Sequence, residues 1–350
     1  MKNVNGKKLL YIIGFLFFFY LFIFSISVIK YSFTEIGSSI LKITHNDISE
    51  FNAFGLGWLL AIIMQSSGAA TSALISLGYA GVIGPVVLIF MVFGTRIGTT
   101  ITSLFFSLLV SAKRRDFRHG FEIGLANLVY AFPIAVFMFI IEYFFSFFST
   151  AGNQITSLGF SFNLGFIESI TYPLIILINA VAPKYFLAFF GTIILILSLR
   201  TMPYFLLHLW GEGYFKRKIN KYMEKKSRSF FIGFLIALVL TSTSITLTLL
   251  IPFVVSRMLN LKKIIPYIIG TNLGGVIDVI FGGLVVGQTS IPAVFAYVSF
   301  SVIGLFWLFN TDLMFKITKF ISKRTFHISR TRAILLVLIF VLVAVGMSFV

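Results

Sequence analysis

The 350-residue chain contains no cysteine, which excludes disulfides and thiolate metal sites. Charged residues make up 11% of it, whereas soluble domains carry about 25%. The four histidines lie far apart and show neither the HExxH nor the HxxxH spacing of metal sites. These shortages argue against a soluble domain, a disulfide scaffold and a histidine-ligated metal centre.

The sequence is correspondingly rich in apolar residues. They make up 58% of the sequence, against about 45–50% in soluble domains, and the mean hydropathy is +1.02. We therefore expect an integral, multi-pass membrane protein of the plasma membrane. At a rise of about 1.5 Å per residue, each apolar run reaches across or deep into a bilayer. The runs lie near 9–29, 52–79, 82–110, 120–148, 162–182, 185–207, 229–255, 264–287, 290–310 and 333–350.

The net charge of +17 is distributed in short clusters between these runs. This distribution is typical of the excess of basic residues on the cytoplasmic side of membrane proteins, and we prefer that interpretation to nucleic-acid binding. The segment 30–50 instead carries Glu35, Asp47 and Glu50. The first run has no small-residue cleavage site, so we expect a retained helix after a cytoplasmic N-terminus. The clusters are Lys2–Lys8, Lys113–Arg118, Lys216–Arg228, Arg257–Lys263 and Lys316–Arg332.

An internal repeat appears when the chain is shifted by 176 positions. The polar run Gln65-Ser66-Ser67 then falls on Thr241-Ser242-Thr243, and the GTRIG string from Gly94 falls on the GTNLG string from Gly270. Two matches at one offset indicate a duplication. We predict two membrane repeats, 1–175 and 176–350, with no soluble domain.

The charge clusters also predict the orientation of the two repeats in the membrane. If every basic cluster is inside and 30–50 is outside, then 52–79 begins and ends outside, while 229–255 begins and ends inside. Both segments are then re-entrant hairpins, and the repeats are inverted. The predicted fold is all-α and polytopic, with about 8–10 hydrophobic helical segments. Three apolar runs lie between the inside clusters at 113–118 and 216–228, and an odd number of crossings cannot return to the same side. One of these runs, such as 162–182, must therefore be re-entrant or interfacial.

Polar residues at the two hairpin tips have a chemical purpose in this arrangement. A break at membrane depth exposes the first N–H groups of the following half-helix, which suit an anion, while carbonyl and hydroxyl oxygens suit Na⁺. Gly68 would permit a tight turn. The alternative is structural, because Ser and Thr often bond to their own helix and GxxxG strings pack helices together. The repetition of both motifs at one offset favours a site.

At these motifs the sequence resembles the type II sodium-dependent phosphate cotransporter family. The hallmark of that family is a Gln-Ser-Ser-Ser hairpin in each inverted repeat, followed by a Gly-Ala/Ser/Thr-Asn-Ile-Gly-Thr-Thr string. Here the strings read QSSGAAT with GTRIGTT and TSTSITL with GTNLGGV. The resemblance covers about 50–110 and 225–290, and it implies symport of inorganic phosphate with Na⁺ as the coupling ion and no cofactor.

The resemblance also implies which residues contact substrate and ions, with the Na⁺ sites lying within the same set. The family pattern is interrupted where Gly68 replaces a serine, Thr241 a glutamine, Arg96 an asparagine, and Gly275-Val276 the second Thr-Thr. The implied residues are Gln65, Ser66, Ser67, Thr95, Arg96, Thr99, Thr100, Ser242, Thr243, Ser244, Thr271 and Asn272.

Arg96 is the most unusual residue, because a charge deep in a membrane helix costs about 2.5–3.5 kcal/mol on insertion scales. It needs a carboxylate, an anion or a water-filled cavity. An ion pair with Asp278 and direct anion binding are both open. Glu122 and Glu142 are expected at helix ends near water, and Glu168 could bind a proton or a cation.

Other functions remain open at the level of sequence. The same fold could carry another anion, act as an exporter, or serve as a non-transporting scaffold or sensor. A membrane-embedded enzyme would need a titratable or metal cluster, and the hydroxyl runs have no neighbouring histidine. We therefore expect a transporter and not an enzyme. The oligomeric state is left open.

Overall fold

The computed structural model describes residues 2–43, 48–110, 114–158, 165–179, 183–210, 223–251, 254, 259–326 and 330–349, and within them the chain is helical with no strand. The helices of the first half are α1 (Lys2–Ile43), α2 (Glu50–Met64), α3 (Ser67–Tyr79), α4 (Pro85–Gly98), α5 (Thr100–Val110), α6 (Arg114–Phe145), α7 (Phe147–Ser157) and α8 (Gly165–Asn179). Those that follow are α9 (Lys184–Trp210), α10 (Lys226–Leu240), α11 (Thr243–Thr248), α12 (Leu261–Gly274), α13 (Ile277–Val286), α14 (Ile291–Ile303), α15 (Phe306–Phe309), α16 (Thr311–Phe326) and α17 (Arg330–Phe349).

Six helical segments within the described residues are long and apolar enough to cross a membrane. The expectation of an all-α, multi-pass membrane protein is therefore confirmed. α8, which covers most of the run 162–182, has 15 residues and is shorter than these spans. The six segments are Lys8–Ile29, Pro85–Phe105, Arg118–Phe145, Leu261–Val286, Gln288–Phe309 and Thr331–Phe349.

The two predicted hairpin segments are each broken at the expected residues. α2 ends where Gln65 takes a left-handed conformation, with φ 53° and ψ 26°, and Ser66 is extended. Ser66 then caps α3 by accepting a hydrogen bond from the amide of Ala69 at 3.1 Å. We name these segments the first hairpin, α2–α3, and the second hairpin, α10–α11.

The second hairpin repeats this geometry at positions 176 residues later. Thr241 has φ 48° and ψ 31°, and Ser242 is extended and caps α11 by accepting from the amide of Ile245 at 3.3 Å. A non-glycine residue with positive φ is uncommon, so its recurrence at matched positions supports a common origin of the two halves.

Glycines join each hairpin to the helix that follows it. A Cβ on Gly94 would meet the carbonyl oxygen of Phe54 in α2, and a Cβ on Gly270 would meet that of Phe230 in α10. Phe54 and Phe230 are themselves 176 residues apart. The glycines of the GTxxG strings therefore serve close helix packing, as the structural alternative for this motif predicts.

The two halves exchange contacts in a reciprocal pattern. α3 of the first hairpin packs against α13, while α11 of the second hairpin packs against α5. Likewise α4 contacts α14, α12 contacts α6, and α1 lies along α9. Reciprocal contacts of this kind are what a two-fold relation between halves produces.

Buried carboxylates away from the hairpins are satisfied within the protein. Glu122 is buried and accepts from the amine of Lys319 at 2.6 Å and the hydroxyl of Ser322 at 2.9 Å, which ties α6 to α16. Glu142 accepts from the amide of Phe148 at 2.7 Å at the start of α7. Both carboxylates are therefore buried, although we expected them near water. The side chain of Glu168 lies outside the described residues.

Candidate functional site

The tip of the first hairpin connects to the second half through a tyrosine. The hydroxyl groups of Ser67 and Tyr297 are 2.8 Å apart, and both side chains are buried. The ring of Tyr297 also supports Arg96, whose Cζ lies 4.4 Å from the ring centroid. One side chain from α14 therefore contacts both the hairpin tip and the intramembrane arginine.

Arg96 lies at the centre of this arrangement and is 4% exposed. Its Nη2 donates to Oδ1 of Asn272 at 3.3 Å and to Oγ of Ser301 at 2.9 Å. Its guanidinium lies over the rings of Tyr297 and Phe300, with Cζ 4.6 Å from the latter centroid. Its Nε is buried and has no hydrogen-bond partner among the described residues. The cation is thus held by neutral oxygens and aromatic faces.

Arg96 and Asp278 do not form an ion pair in this structure. Among the described side chains, no carboxylate lies within ion-pairing distance of the guanidinium. Asp278 is buried, and its Oδ1 accepts from the amide of Val279 at 2.7 Å. Its Oδ2 occupies the space where a side chain at Gly68 would begin. Gly68 therefore makes room for a carboxylate beside the first tip.

The second hairpin is also connected to this centre. Oγ1 of Thr243 donates to the carbonyl of Thr271 at 3.1 Å, and the next residue in the chain is Asn272. The side-chain Nδ2 of Asn272 donates to Oδ1 of Asn127 in α6 at 3.0 Å. A continuous series of contacts therefore joins the two hairpin tips, and Arg96 stands in its middle.

Arg96 and Asn272 occupy matched positions of the two halves, 176 residues apart, and they touch each other. Contact between equivalent residues is expected close to a two-fold axis. The contact between Arg96 and Asn272 is therefore consistent with the predicted two-fold relation between the halves.

Four threonines in or just after the GTxxG strings donate their hydroxyl hydrogens to backbone carbonyls three or four residues earlier in the chain. This is the local bonding that the structural alternative predicts for threonine. Thr95 is also 3.0 Å from the hydroxyl of Thr71 in α3. The hydroxyls retain oxygen lone pairs, although their hydrogens are engaged. The donors are Thr95 to Val92, Thr99 to Thr95 and Arg96, Thr100 to Ile97, and Thr271 to Ile268.

The remaining predicted residues lie at the tips themselves. Gln65 is exposed, and its carbonyl accepts from the hydroxyl of Thr102 at 3.5 Å. Ser66 is half-buried, as are Ser242 and Ser244 in the second hairpin. The site therefore has a buried centre around Arg96 and two more accessible ends.

Sequence reasoning missed four residues that complete the centre: Asn127, Tyr297, Phe300 and Ser301. The repeat offset could not find them, because their matched positions are apolar, namely Phe121 for Tyr297 and Leu125 for Ser301. Asn127 is the exception that offered a signal, since it is a lone carboxamide within the apolar run 120–148.

Comparison with known proteins now decides the family. The profile of the Na⁺/Pi-cotransporter family matches residues 21–168 and 194–349, one segment in each predicted repeat. The chain belongs to this family. The resemblance found in the hairpin motifs is confirmed, and the chain is placed among transporters rather than enzymes.

Curated relatives support the same family over a shorter length. The chain is 32% identical over 124 residues to sodium-dependent phosphate transport protein 2A of Mus musculus and to that of Rattus norvegicus. Each match covers 33% of this chain and 19% of the relative. The protein of the same name from Oryctolagus cuniculus is 32% identical over 112 residues, 30% of this chain and 17% of its own. The matches thus span about a fifth of these relatives. No solved structure matches the chain.

Proposed function

We propose that this Na⁺/Pi-cotransporter family member is a secondary active transporter that moves inorganic phosphate across the plasma membrane together with Na⁺. The observation that carries the proposal is the pair of broken hairpins with matching tip conformations, joined to each other through Arg96. Paired polar breaks at membrane depth are the usual form of a substrate site in secondary transporters.

Phosphate contacts are assigned to the cap serines of the two tips. The oxygens of Ser66 and Ser242 accept the capping amide hydrogens, while their O–H groups have no acceptor among the described residues. These O–H groups can donate to phosphate oxygens. Ser67, Thr243, Ser244 and Gln65 complete the tips, and Arg96 supplies positive charge at the centre.

Na⁺ contacts are assigned to the threonines whose hydroxyl hydrogens are already engaged. Such oxygens present lone pairs and no free hydrogen, so they suit a cation better than an anion. Thr95, Thr99, Thr100 and Thr271 are of this kind, and each is buried. Among the described residues no cluster of carboxylate or histidine ligands is present, so neutral oxygens would carry this role.

The transport cycle is proposed to follow alternating access between two inverted repeats, 1–175 and 176–350. The reciprocal packing of the halves around Arg96 and Asn272 supports a two-fold relation. The charge clusters support opposite entry of the two hairpins and a cytoplasmic N-terminus. A site near such an axis would open to each side in turn.

Radiolabelled phosphate uptake into proteoliposomes, with an inward gradient of Na⁺ or of K⁺, tests this proposal. We expect uptake that requires Na⁺. A hydrogen bond to a charged group contributes about 1.5–3 kcal/mol, so the Ser66→Ala/Ser242→Ala variant should lose about 100-fold in apparent phosphate affinity.

Ser49→Ala is the control for the loss of a helix cap without the loss of a phosphate contact. Ser49 caps α2 and accepts from the amide of Asn52 at 3.2 Å, but it lies at the far end of the first hairpin from the tip. This variant should retain uptake. Na⁺-driven uptake of another anion in place of phosphate would favour a different substrate, and uptake indifferent to Na⁺ and to both serines would refute the proposal. Absence of any transport would favour a scaffold or sensor.

A further inference from the structure

We propose that Arg96 is a resident cation that takes the place of one coupling Na⁺, so that phosphate moves with one Na⁺ fewer than it would if position 96 were neutral. The inference rests on the proposed function. Three features support it: the contacts of the guanidinium, the residue at the matched position of the other half and the surrounding charges.

The first support is the kind of atom that Arg96 holds. Its Nη2 is bonded to Oδ1 of Asn272 and Oγ of Ser301, both neutral oxygens from the second half. Carbonyl and hydroxyl oxygens at the junction of two repeats are also what a transporter offers to Na⁺. A guanidinium stays protonated in proteins, so these oxygens are permanently engaged by a cation that cannot leave.

The second support is the residue at the matched position. The second half carries a neutral carboxamide, Asn272, where the first half carries Arg96. The two side chains meet at 3.3 Å. One half therefore contributes a cation, and the other contributes an oxygen that holds it.

The third support is the local balance of charge. Asp278 lies beside the first tip against Gly68, and the guanidinium lies beside the same tip against Tyr297. Among the described residues, neither Arg96 nor Asp278 forms an ion pair with another side chain. A neutral residue at position 96 would leave Asp278 buried with no cation beside it and would free the oxygens of Asn272 and Ser301. Such a set of oxygens would recruit a cation from solution.

The test is the ratio of ²²Na⁺ to ³²P-phosphate taken up by proteoliposomes. We expect Arg96→Asn to raise this ratio by one Na⁺ per phosphate. Arg96→Lys keeps the charge and should leave the ratio unchanged. Lys323→Asn removes an exposed positive charge elsewhere and should also leave it unchanged. An unchanged ratio in a transporting Arg96→Asn variant overturns the inference, while wild-type uptake that ignores Na⁺ overturns the proposed function.

A binding measurement covers the case in which Arg96→Asn does not transport. The thermal shift given by phosphate is measured at several Na⁺ concentrations on purified protein, with Arg96→Met as a second neutral variant that fills the space of the arginine stem. For each variant, the logarithm of phosphate affinity is plotted against the logarithm of Na⁺ concentration. We expect the slope for the two neutral variants to exceed the wild-type slope by one. An unchanged slope, or no phosphate binding by either variant at any Na⁺ concentration, overturns the inference.

Discussion

At the scale of the residue, Gly68 and Asp278 compete for one space. A Cβ at position 68 would fall on the carboxylate of Asp278, whose other oxygen is held by the amide of Val279. The glycine is therefore required by a neighbour in the other half of the chain, and the turn that precedes it is made by Gln65 instead.

We expect Gly68→Ser to destabilise the protein by about 1–3 kcal/mol, the usual cost of overpacking. Asp278→Ala removes the obstructing carboxylate, so the double variant should be more stable than the sum of the two single effects. Thermal unfolding in detergent measures all three variants. Strictly additive effects would show that the two side chains do not share this space.

The residues with left-handed backbone at the hairpin tips lower the stability of the protein. Thr241 is β-branched at φ 48°, and its buried hydroxyl has no partner among the described residues. Left-handed backbone costs an L-residue about 1–2 kcal/mol, whereas glycine adopts it freely but loses more chain entropy on folding.

Thr241→Gly should therefore raise the unfolding temperature, by a net gain of about 1 kcal/mol. Ser146 has φ 47° outside both tips, so Ser146→Gly is a matched control for the backbone effect. We expect the gain at Thr241 to exceed the gain at Ser146, because only Thr241 also buries a branched, unpartnered side chain. A lower unfolding temperature for Thr241→Gly would contradict this account.

At the scale of the element, paired helices approach closely because glycines face backbone. Gly94 faces the carbonyl of Phe54, and Gly270 faces the carbonyl of Phe230. These contacts hold α4 against α2 and α12 against α10, and so they set the position of each hairpin tip relative to Arg96.

Gly94→Ala and Gly270→Ala should each destabilise the protein, because the added methyl group meets backbone that cannot rotate away. Gly346 in α17 has open space around it, so Gly346→Ala should be neutral or stabilising by up to about 1 kcal/mol through helix propensity alone. Unfolding temperatures of the three variants test this difference, which would vanish if the close packing were absent.

A surface ion pair joins other elements at the end of the bundle. Asp312 at the start of α16 lies 3.1 Å from the amine of Lys262 in α12 and 3.8 Å from that of Lys226 in α10. The hydrogen bond and charge of Lys262 hold the pKa of Asp312 below its ordinary value. The small stability that this pair contributes is present above the unfolded-state pKa, and it is lost as the pH falls through the lowered folded-state pKa.

Asp312→Asn should therefore lower the unfolding temperature slightly at pH 7 and leave it unchanged in acid below the folded-state pKa. High salt should weaken the effect at pH 7, because the groups are exposed. An effect that persists in acid would contradict an electrostatic origin.

At the scale of the whole molecule, the two hairpins are proposed to begin on opposite sides of the membrane. The cap residues Ser49 and Lys225 are matched positions at the starts of α2 and α10, and both are exposed. Because the chain has no cysteine, a single introduced cysteine is an unambiguous label site.

Ser49→Cys in intact cells should react with a membrane-impermeant maleimide, while Lys225→Cys should react only after the membrane is opened. This opposite labelling follows from inverted repeats. Labelling of both residues from one side would show that the repeats are parallel and would remove the basis for alternating access at their junction.

The membrane class, the helix breaks at Gln65 and Thr241, and the family could all be predicted from the residues alone, because each depends on a local pattern. Apolar runs identify helices by length, and a polar Gln-Ser or Thr-Ser pair within such a run marks where the helix breaks. The offset of 176 residues was visible because both copies kept the serine of this pair and the GTxxG string that follows.

The surroundings of Arg96 could not be predicted in this way and became clear only from the packed fold. Its partners Asn272, Tyr297 and Ser301 come from distant helices, and two of them have apolar residues at their matched positions. Whether a buried arginine meets a carboxylate or neutral oxygens depends on how α4 packs against α14 and α12. That packing is set by shape and by glycine contacts across the whole fold, which no local pattern encodes.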